Sequence, residues 1–205
     1  QMPEVSIDLR PGEPDEILEL LRKNDIDLAV LSHSSDAWPD SYVLPAYHWR
    51  MRGLVPIEHP LASLQRAVKV SDLAQYPIVT YNSARNPGSS LRATFALEGI
   101  VPDLACTTRD ADSIKAYVKA GLGVGVLSEM AVEVSDYDHL HALDLGSLFP
   151  RYTSFVILRR GEVPPKFVRS FIALLAPHYH AHPIALGLDR PEVFAVQVPD
   201  WRPAP

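Results

Sequence analysis

The chain has 205 residues, 47% apolar and 21% charged, with a formal net charge of −6 and a single cysteine, Cys106. That length and apolar content suit one large core or two smaller ones. The acidity argues against a nucleic-acid grip by this chain alone. No apolar run approaches the roughly 18 residues of a membrane helix. One thiol leaves no internal disulfide, which fits a reducing cytoplasm. The start, Gln1-Met2-Pro3-Glu4-Val5, lacks the basic opening and apolar core of a signal peptide, so a cytoplasmic setting is expected.

Val5-Ser6-Ile7-Asp8-Leu9 alternates apolar and polar residues, the pattern of a half-buried strand. After Gly12, Pro14 sits at a favourable first helical position, and Ile17, Leu18, Leu20 and Leu21 form an apolar face reaching to Asn24. Leu28-Ala29-Val30-Leu31 reads as a buried parallel strand. Together these make a βαβ unit. One long strand is expected from Tyr42 to Val55, a short helix at Ser71 to Ala74, and a buried strand at Pro77 to Tyr81. Asn82 to Ser90 is a polar loop, and Ser89 or Ser90 can cap a helix with Leu91, Phe95 and Leu97 inward, ending at Gly99.

A strand at Leu104 to Thr107 follows, then a helix capped by Asp110 or Asp112, with Ile114, Tyr117 and Val118 inward and Gly121 closing it. Strands at Gly123 to Leu127 and Thr153 to Leu158 precede a last helix near Pro165, with Phe167, Phe171, Leu174 and Leu175 on one face. After Pro177 the tail turns histidine- and proline-rich, with one further edge strand possible at Val193 to Val198. Alternating strands and helices imply an α/β fold with mostly parallel sheets.

Two segments are specific enough to carry a resemblance: Leu73-Ala74-Gln75-Tyr76-Pro77-Ile78-Val79-Thr80-Tyr81, and Asp110-Ala111-Asp112-Ser113-Ile114-Lys115-Ala116-Tyr117-Val118 with Gly121-Leu122-Gly123-Val124-Gly125-Val126 after it. Leu44 to Trp49, His59 to Ala62, Leu158-Arg159-Arg160 and Ala176-Pro177-His178 match in the same order. The chain resembles the effector-binding domain of LysR-type transcriptional regulators, in the CysB-like (cysteine regulon) branch. The resemblance implies two Rossmann-like lobes, similar to type 2 periplasmic binding proteins, with the ligand in a cleft between them. Lobe I would comprise residues 1–49 and 157–180, lobe II residues 50–156, and a C-terminal tail residues 181–205. The chain opens at what resembles the family's second strand. The first strand and helix of lobe I, and the helix-turn-helix through which the whole regulator would bind DNA, are therefore expected upstream. Homodimers or homotetramers are implied, and no cofactor.

The resemblance carries over a set of ligand contacts. Ser32 matches a cleft threonine of the family and follows a strand, where α/β sheets bind ligands; the alternative is a turn serine. His33 replaces the branch's acidic residue and is either a pH-sensitive contact or a solvated loop histidine. In the loop opening at Asn82, Asn86 stands where the branch has a ligand-contacting threonine, although Pro87-Gly88 would also suit a plain turn. Thr108 and Arg109 precede a helix N-terminus that favours anions, and Arg109 could bond a carboxylate or sulfo group or simply face solvent. Trp49 would line the cleft at the hinge or pack as an ordinary large aromatic.

Other motifs carry less. Gly121-Leu122-Gly123-Val124-Gly125 follows a helix and enters a strand, the reverse of a dinucleotide-binding fingerprint. Cys106 reads as a strand residue rather than a nucleophile. His178, His180 and His182 alternate without an adjoining cysteine or acid, so no metal site is expected. The favoured function is sensing of a small anionic metabolite or sulfate-like anion, such as an acetylated serine, sulfate or an organosulfur acid. The alternatives are a transport-type solute-binding protein of the same fold and, lacking any catalytic motif, an enzyme.

Overall fold

The computed structural model describes residues 2–33, 38, 41–179 and 197–202. In chain order the elements are α1 (Pro14–Arg22), β1 (Ala29–His33), β2 (Ser41–Trp49), β3 (Met51–Pro56), α2 (Val70–Leu73), β4 (Ile78–Tyr81), α3 (Ser90–Ala96), β5 (Leu104–Thr108), α4 (Ala111–Lys119), β6 (Val124–Ser128), β7 (Leu140–Asp144), β8 (Tyr152–Arg159) and α5 (Lys166–Leu175), with several short 3₁₀ turns. The chain divides into two compact units. One takes Gln1–His48 and Tyr152–Trp201, the other Trp49–Arg151 and the last residues from Arg202. The expected return between residues 156 and 157 falls inside β8 instead. Thr153 to Ile157 all pair with β1, so the unit boundary lies before that strand.

In the first unit the strand order is β1-β8-β2, and β8 runs antiparallel to β1 with Ser32 opposite Ser154 and Ala29 opposite Ile157. Strand β8 is apolar along most of its length because both of its faces are covered. Phe155 and Ile157 meet Ile17, Leu18 and Leu21 of α1, while Val156 and Leu158 meet Val168 and Ile172 of α5. Burying one such aliphatic side chain contributes roughly 1.5–3 kcal/mol. Arg159 ties the α1 end to the sheet by donating to the carbonyls of Leu21 and Ile26 at 3.2 and 2.7 Å.

Several expectations need correction here. Val5 to Leu9 forms no strand: it pairs with nothing among the described residues, and Ile7 and Leu9 are 67% and 80% exposed. Alternation marks a strand only where a neighbour supplies hydrogen bonds. On α5 the buried residues are Val168 and Ile172, whereas Leu174 is 81% exposed. That helix carries two apolar stripes, and periodicity cannot choose between them. Val193 to Val196 lies outside the described residues; Pro199 to Trp201 instead brackets His48, whose N–H donates to Pro199 O (2.9 Å) and whose carbonyl accepts from Trp201 N (2.7 Å).

In the second unit the strand order is β5-β4-β6-β3-β7. The β4–β5 and β4–β6 pairs are parallel, and the β3–β6 and β3–β7 pairs antiparallel. The sheets are therefore mixed rather than mostly parallel. Parallel pairing occurs where α3 and α4 supply crossovers. The long strand expected from Tyr42 to Val55 breaks at Arg50, whose backbone N–H donates to Glu129 Oε1 at 2.7 Å and starts β3 in the other sheet.

Helices α3 and α4 pack on opposite faces of this sheet. Leu91 and Phe95 of α3 join Val55, Ile78, Val124 and Val126, while Ile114 and Val118 of α4 join Leu54, Val79 and Leu127. Two inward assignments fail: Leu97 is 89% exposed and Tyr117 38%, while Lys115 is buried at 7%. Lys115 reaches Asp112 at 3.2 Å one helical turn away, and Asp136 Oδ2 and Ala131 O, both at 3.1 Å, which are distant in sequence. The glycine cluster works in packing. A Cβ on Gly123, at φ +153°, would sit 2.1 Å from Pro77 O, and one on Gly125 would sit 2.7 Å from Val118.

Candidate functional site

In the second unit, β4 and β5 run parallel with Tyr81 opposite Thr108, so their carboxyl ends lie side by side. The chain leaving β4 turns through a 3₁₀ segment, Asn82–Arg85, into α3; the chain leaving β5 passes Arg109 into α4. Because these helices cover opposite faces, the two loops diverge. In the strand order β5-β4-β6 the chain runs from β4 to one neighbour and returns past it to the other, so the carboxyl end of β4 borders the topological switch point at which open α/β sheets bind ligands.

Four of the sequence-derived candidates follow or end these two strands: Asn82 and Asn86 after β4, Thr108 and Arg109 at the end of β5. Asn86 and Arg109 are exposed and Asn82 is half-buried, and none of their side chains hydrogen-bonds among the described residues. The Thr108 hydroxyl donates to Asp110 Oδ2 at 3.3 Å. Asp110 is committed to its own helix. It accepts from the backbone N–H and the hydroxyl of Ser113 at 2.7 and 2.9 Å, and these bonds hold its carboxyl below the ordinary carboxylate range. Beneath the edge, burial pushes the Tyr81 phenol up, and its oxygen accepts from Ser128 N at 3.3 Å. Thr80 donates to Val126 O at 2.7 Å, so the floor is satisfied and rigid.

The structure adds two residues at this edge. Arg85, in the 3₁₀ turn, donates from Nε to Thr107 Oγ1 at 2.7 Å, linking the β4 loop to the end of β5. Arg92 in α3 donates from Nε to Ala84 O at 2.8 Å and secures the same turn. The available signal was a cation immediately after a buried strand. The pairing of β4 with β5, which puts Arg85 on Thr107, is tertiary.

In the first unit, Ser32 lies near the carboxyl end of β1. Its hydroxyl is 2.8 Å from that of Ser154, which is 1% exposed. Thr153 lies one residue earlier on β8 with its side chain on the opposite face, and its Oγ1 shares a 2.8 Å hydrogen bond with His48 Nδ1, the proton's owner depending on the imidazole tautomer. Ser154 and Thr153 were not singled out from sequence, because only the register of β8 on β1 puts them opposite Ser32 and His33, and His48 reaches Thr153 from β2 on the other side of β8. The backbone of His33 ends β1 opposite Thr153. Trp49 ends β2 and is 6% exposed, its ring already covered by protein. Cys106 is half-buried in β5, an edge strand, and is less enclosed than its apolar neighbours suggested. His178 contacts Pro45 O at 3.1 Å, while His180 and His182 lie outside the described residues.

Comparison with known proteins bears on this arrangement. The family profile of the LysR substrate binding domain matches residues 1–179. The HTH-type transcriptional regulator SsuR of Burkholderia cenocepacia is 35% identical over 191 residues, 93% of this chain and 61% of that regulator. The HTH-type transcriptional regulator CysB of the same organism is 32% identical over 177 residues, 86% of this chain and 56% of that regulator. The chain thus spans less than two thirds of either relative. The crystal structure of the cofactor-binding domain of the Cbl transcriptional regulator matches with a TM-score of 0.71 at 30% identity, covering 81% of this chain and 72% of that one.

Proposed function

Because the chain belongs to the LysR substrate-binding domain family, we propose that it senses a small anionic metabolite on behalf of a transcriptional regulator, holding it in the second unit through Asn82, Asn86, Thr108 and Arg109. The observation that carries this reading is the parallel pairing of β4 with β5, which puts the loops bearing two amides, a hydroxyl and a guanidinium at neighbouring carboxyl ends of the sheet. These groups are suited to hold an oxyanion rather than to transfer atoms, so binding without turnover is the activity. Trp49 is left out of the contact set because its ring is covered.

The resemblance to the CysB-like branch supports a sulfur-linked ligand: sulfate, an organosulfur acid or an acetylated serine. Such a ligand acts by binding one quaternary arrangement of the regulator more tightly than another, since only differential affinity shifts an equilibrium. The arrangement is a homodimer or homotetramer in the cytoplasm, with DNA gripped by a helix-turn-helix outside this chain. The net charge of −6 supports that division of labour.

Titration calorimetry with sulfate, methanesulfonate and O-acetylserine tests the reading. At least one should bind without being consumed, and Asn86→Ala should weaken it about tenfold, the loss of one hydrogen bond to a charged group. Turnover of the ligand, or equal binding by Asn86→Ala and wild type, would overturn it.

A further inference from the structure

We infer that Arg85 is a second charge-recognising residue of this site beside Arg109, selecting ligands that carry a full oxyanion, sulfonate or sulfate, over neutral isosteres. The inference rests on the sensing reading above and goes beyond it by naming a residue and a discrimination. Arg85 sits in the first turn after β4, at the carboxyl edge of the sheet, and it is exposed. Its Nε donates to Thr107 Oγ1 at 2.7 Å, and among the described residues its two terminal amino groups have no partner. A guanidinium anchored through Nε keeps the paired N–H groups that grip an oxyanion in a bidentate fork.

The surroundings favour that use. The turn carrying Arg85 is fastened by Arg92 Nε to Ala84 O at 2.8 Å and by Asn86 N to Ser83 O at 3.1 Å, so the guanidinium is presented on a defined backbone. Asn82 and Asn86 bracket the same turn and offer neutral amide donors. Asp110, the carboxylate on the β5 loop, is already engaged by Ser113 and Thr108 and does not pair with Arg85. Holding Arg85 rigid lowers the entropy cost of binding, which is how preorganisation raises affinity.

The test measures binding of methanesulfonate, inorganic sulfate and neutral dimethyl sulfone by calorimetry to wild type and to Arg85→Ala, Arg85→Lys, Asn86→Ala and Arg22→Ala. Wild type should bind both oxyanions and favour them over the sulfone. Arg85→Ala should weaken the oxyanions by about tenfold or more and erase the preference, the effect of one charge-assisted contact. Arg85→Lys should recover part of the loss, and Arg22→Ala, a charge deletion on α1, should change nothing. If Arg85→Ala keeps wild-type affinity and preference while Asn86→Ala weakens binding, the role of Arg85 is overturned and the sensing reading stands. If wild type binds neither oxyanion, the anionic reading fails together with the inference. Unchanged thermal unfolding of Arg85→Ala shows that the loss is one of recognition.

Discussion

Arg85 and Thr107 lie 22 positions apart, yet a 2.7 Å hydrogen bond from Nε to Oγ1 joins them across the carboxyl ends of two parallel strands. The bond fixes a guanidinium where the chain diverges to opposite faces of a sheet. Thr107→Val keeps the shape and removes the acceptor. Sulfate or methanesulfonate binding should then fall about three- to tenfold, the worth of one ordinary hydrogen bond, and less than in Arg85→Ala. Calorimetry on the two variants gives the order; wild-type affinity in Thr107→Val would show that the anchor contributes nothing.

Ser32 and Ser154 make the corresponding contact in the first unit, at 2.8 Å. Ser154 is 1% exposed, so Ser32→Ala strands a buried hydroxyl and should lower unfolding free energy by about 1–2 kcal/mol. Ser32→Ala with Ser154→Ala should recover much of that, because both polar partners are gone. Urea denaturation distinguishes the cases. A double variant as weak as the sum of the singles would mean the two hydroxyls are not coupled.

Lys115 and Asp136 form a buried pair, their side chains 9% and 4% exposed. Burial opposes both charges. Hydrogen bonds to Asp136 and Asp112 nevertheless raise the ammonium above its usual range, and bonds from Glu133 N and Lys115 hold the Asp136 carboxyl below its own. Lys115→Met should cost about 3–5 kcal/mol by leaving a buried carboxylate without its main partner. Adding Asp136→Leu should restore a large share of it. Retention of wild-type stability by Lys115→Met would place the pair in solvent.

Acid should loosen the region around α2. Arg66 grips Asp72 with two bonds, Nη1 to Oδ2 at 2.6 Å and Nη2 to Oδ1 at 2.7 Å, and Lys69 N adds a third at 2.9 Å. Led by the Arg66 bonds and opposed by burial, these lower the carboxyl from 3.8 to about 2. A depressed acid stabilises the fold above its unfolded pKa, and that contribution is lost as pH falls from about 4 towards about 2. With half of the Arg66 side chain exposed, solvent screening trims the contribution to about 1–2 kcal/mol. Asp72→Asn should lower stability at neutral pH and flatten its decline over that acid window. A decline as steep as in wild type would place the titrating groups elsewhere.

Much of the fold was legible in the sequence because its signals are local. Pro14 opens α1, Ser89 caps α3 by accepting from Arg92 N, Asp110 caps α4 by accepting from Ser113 N, and the first three residues of β4 are buried. Asn86, Thr108 and Arg109 were legible as candidates only through resemblance, and the pairing of β4 with β5 puts the strand ends that lead to them side by side.

The tertiary structure decided what depends on neighbours. Leu174 and Leu97 face outward because a helix with apolar residues on more than one side buries whichever face its sheet meets. Val5 to Leu9 has the alternation of a strand and no pairing strand among the described residues, and Lys115 lies in the core because Asp136, 21 residues away, neutralises it there. Arg85 acquires its place for the same reason. Sequence order records which side chain follows which, while hydrogen bonds and burial act through space. Only the pairing of β4 with β5 turns a loop arginine and a strand threonine into one oriented guanidinium.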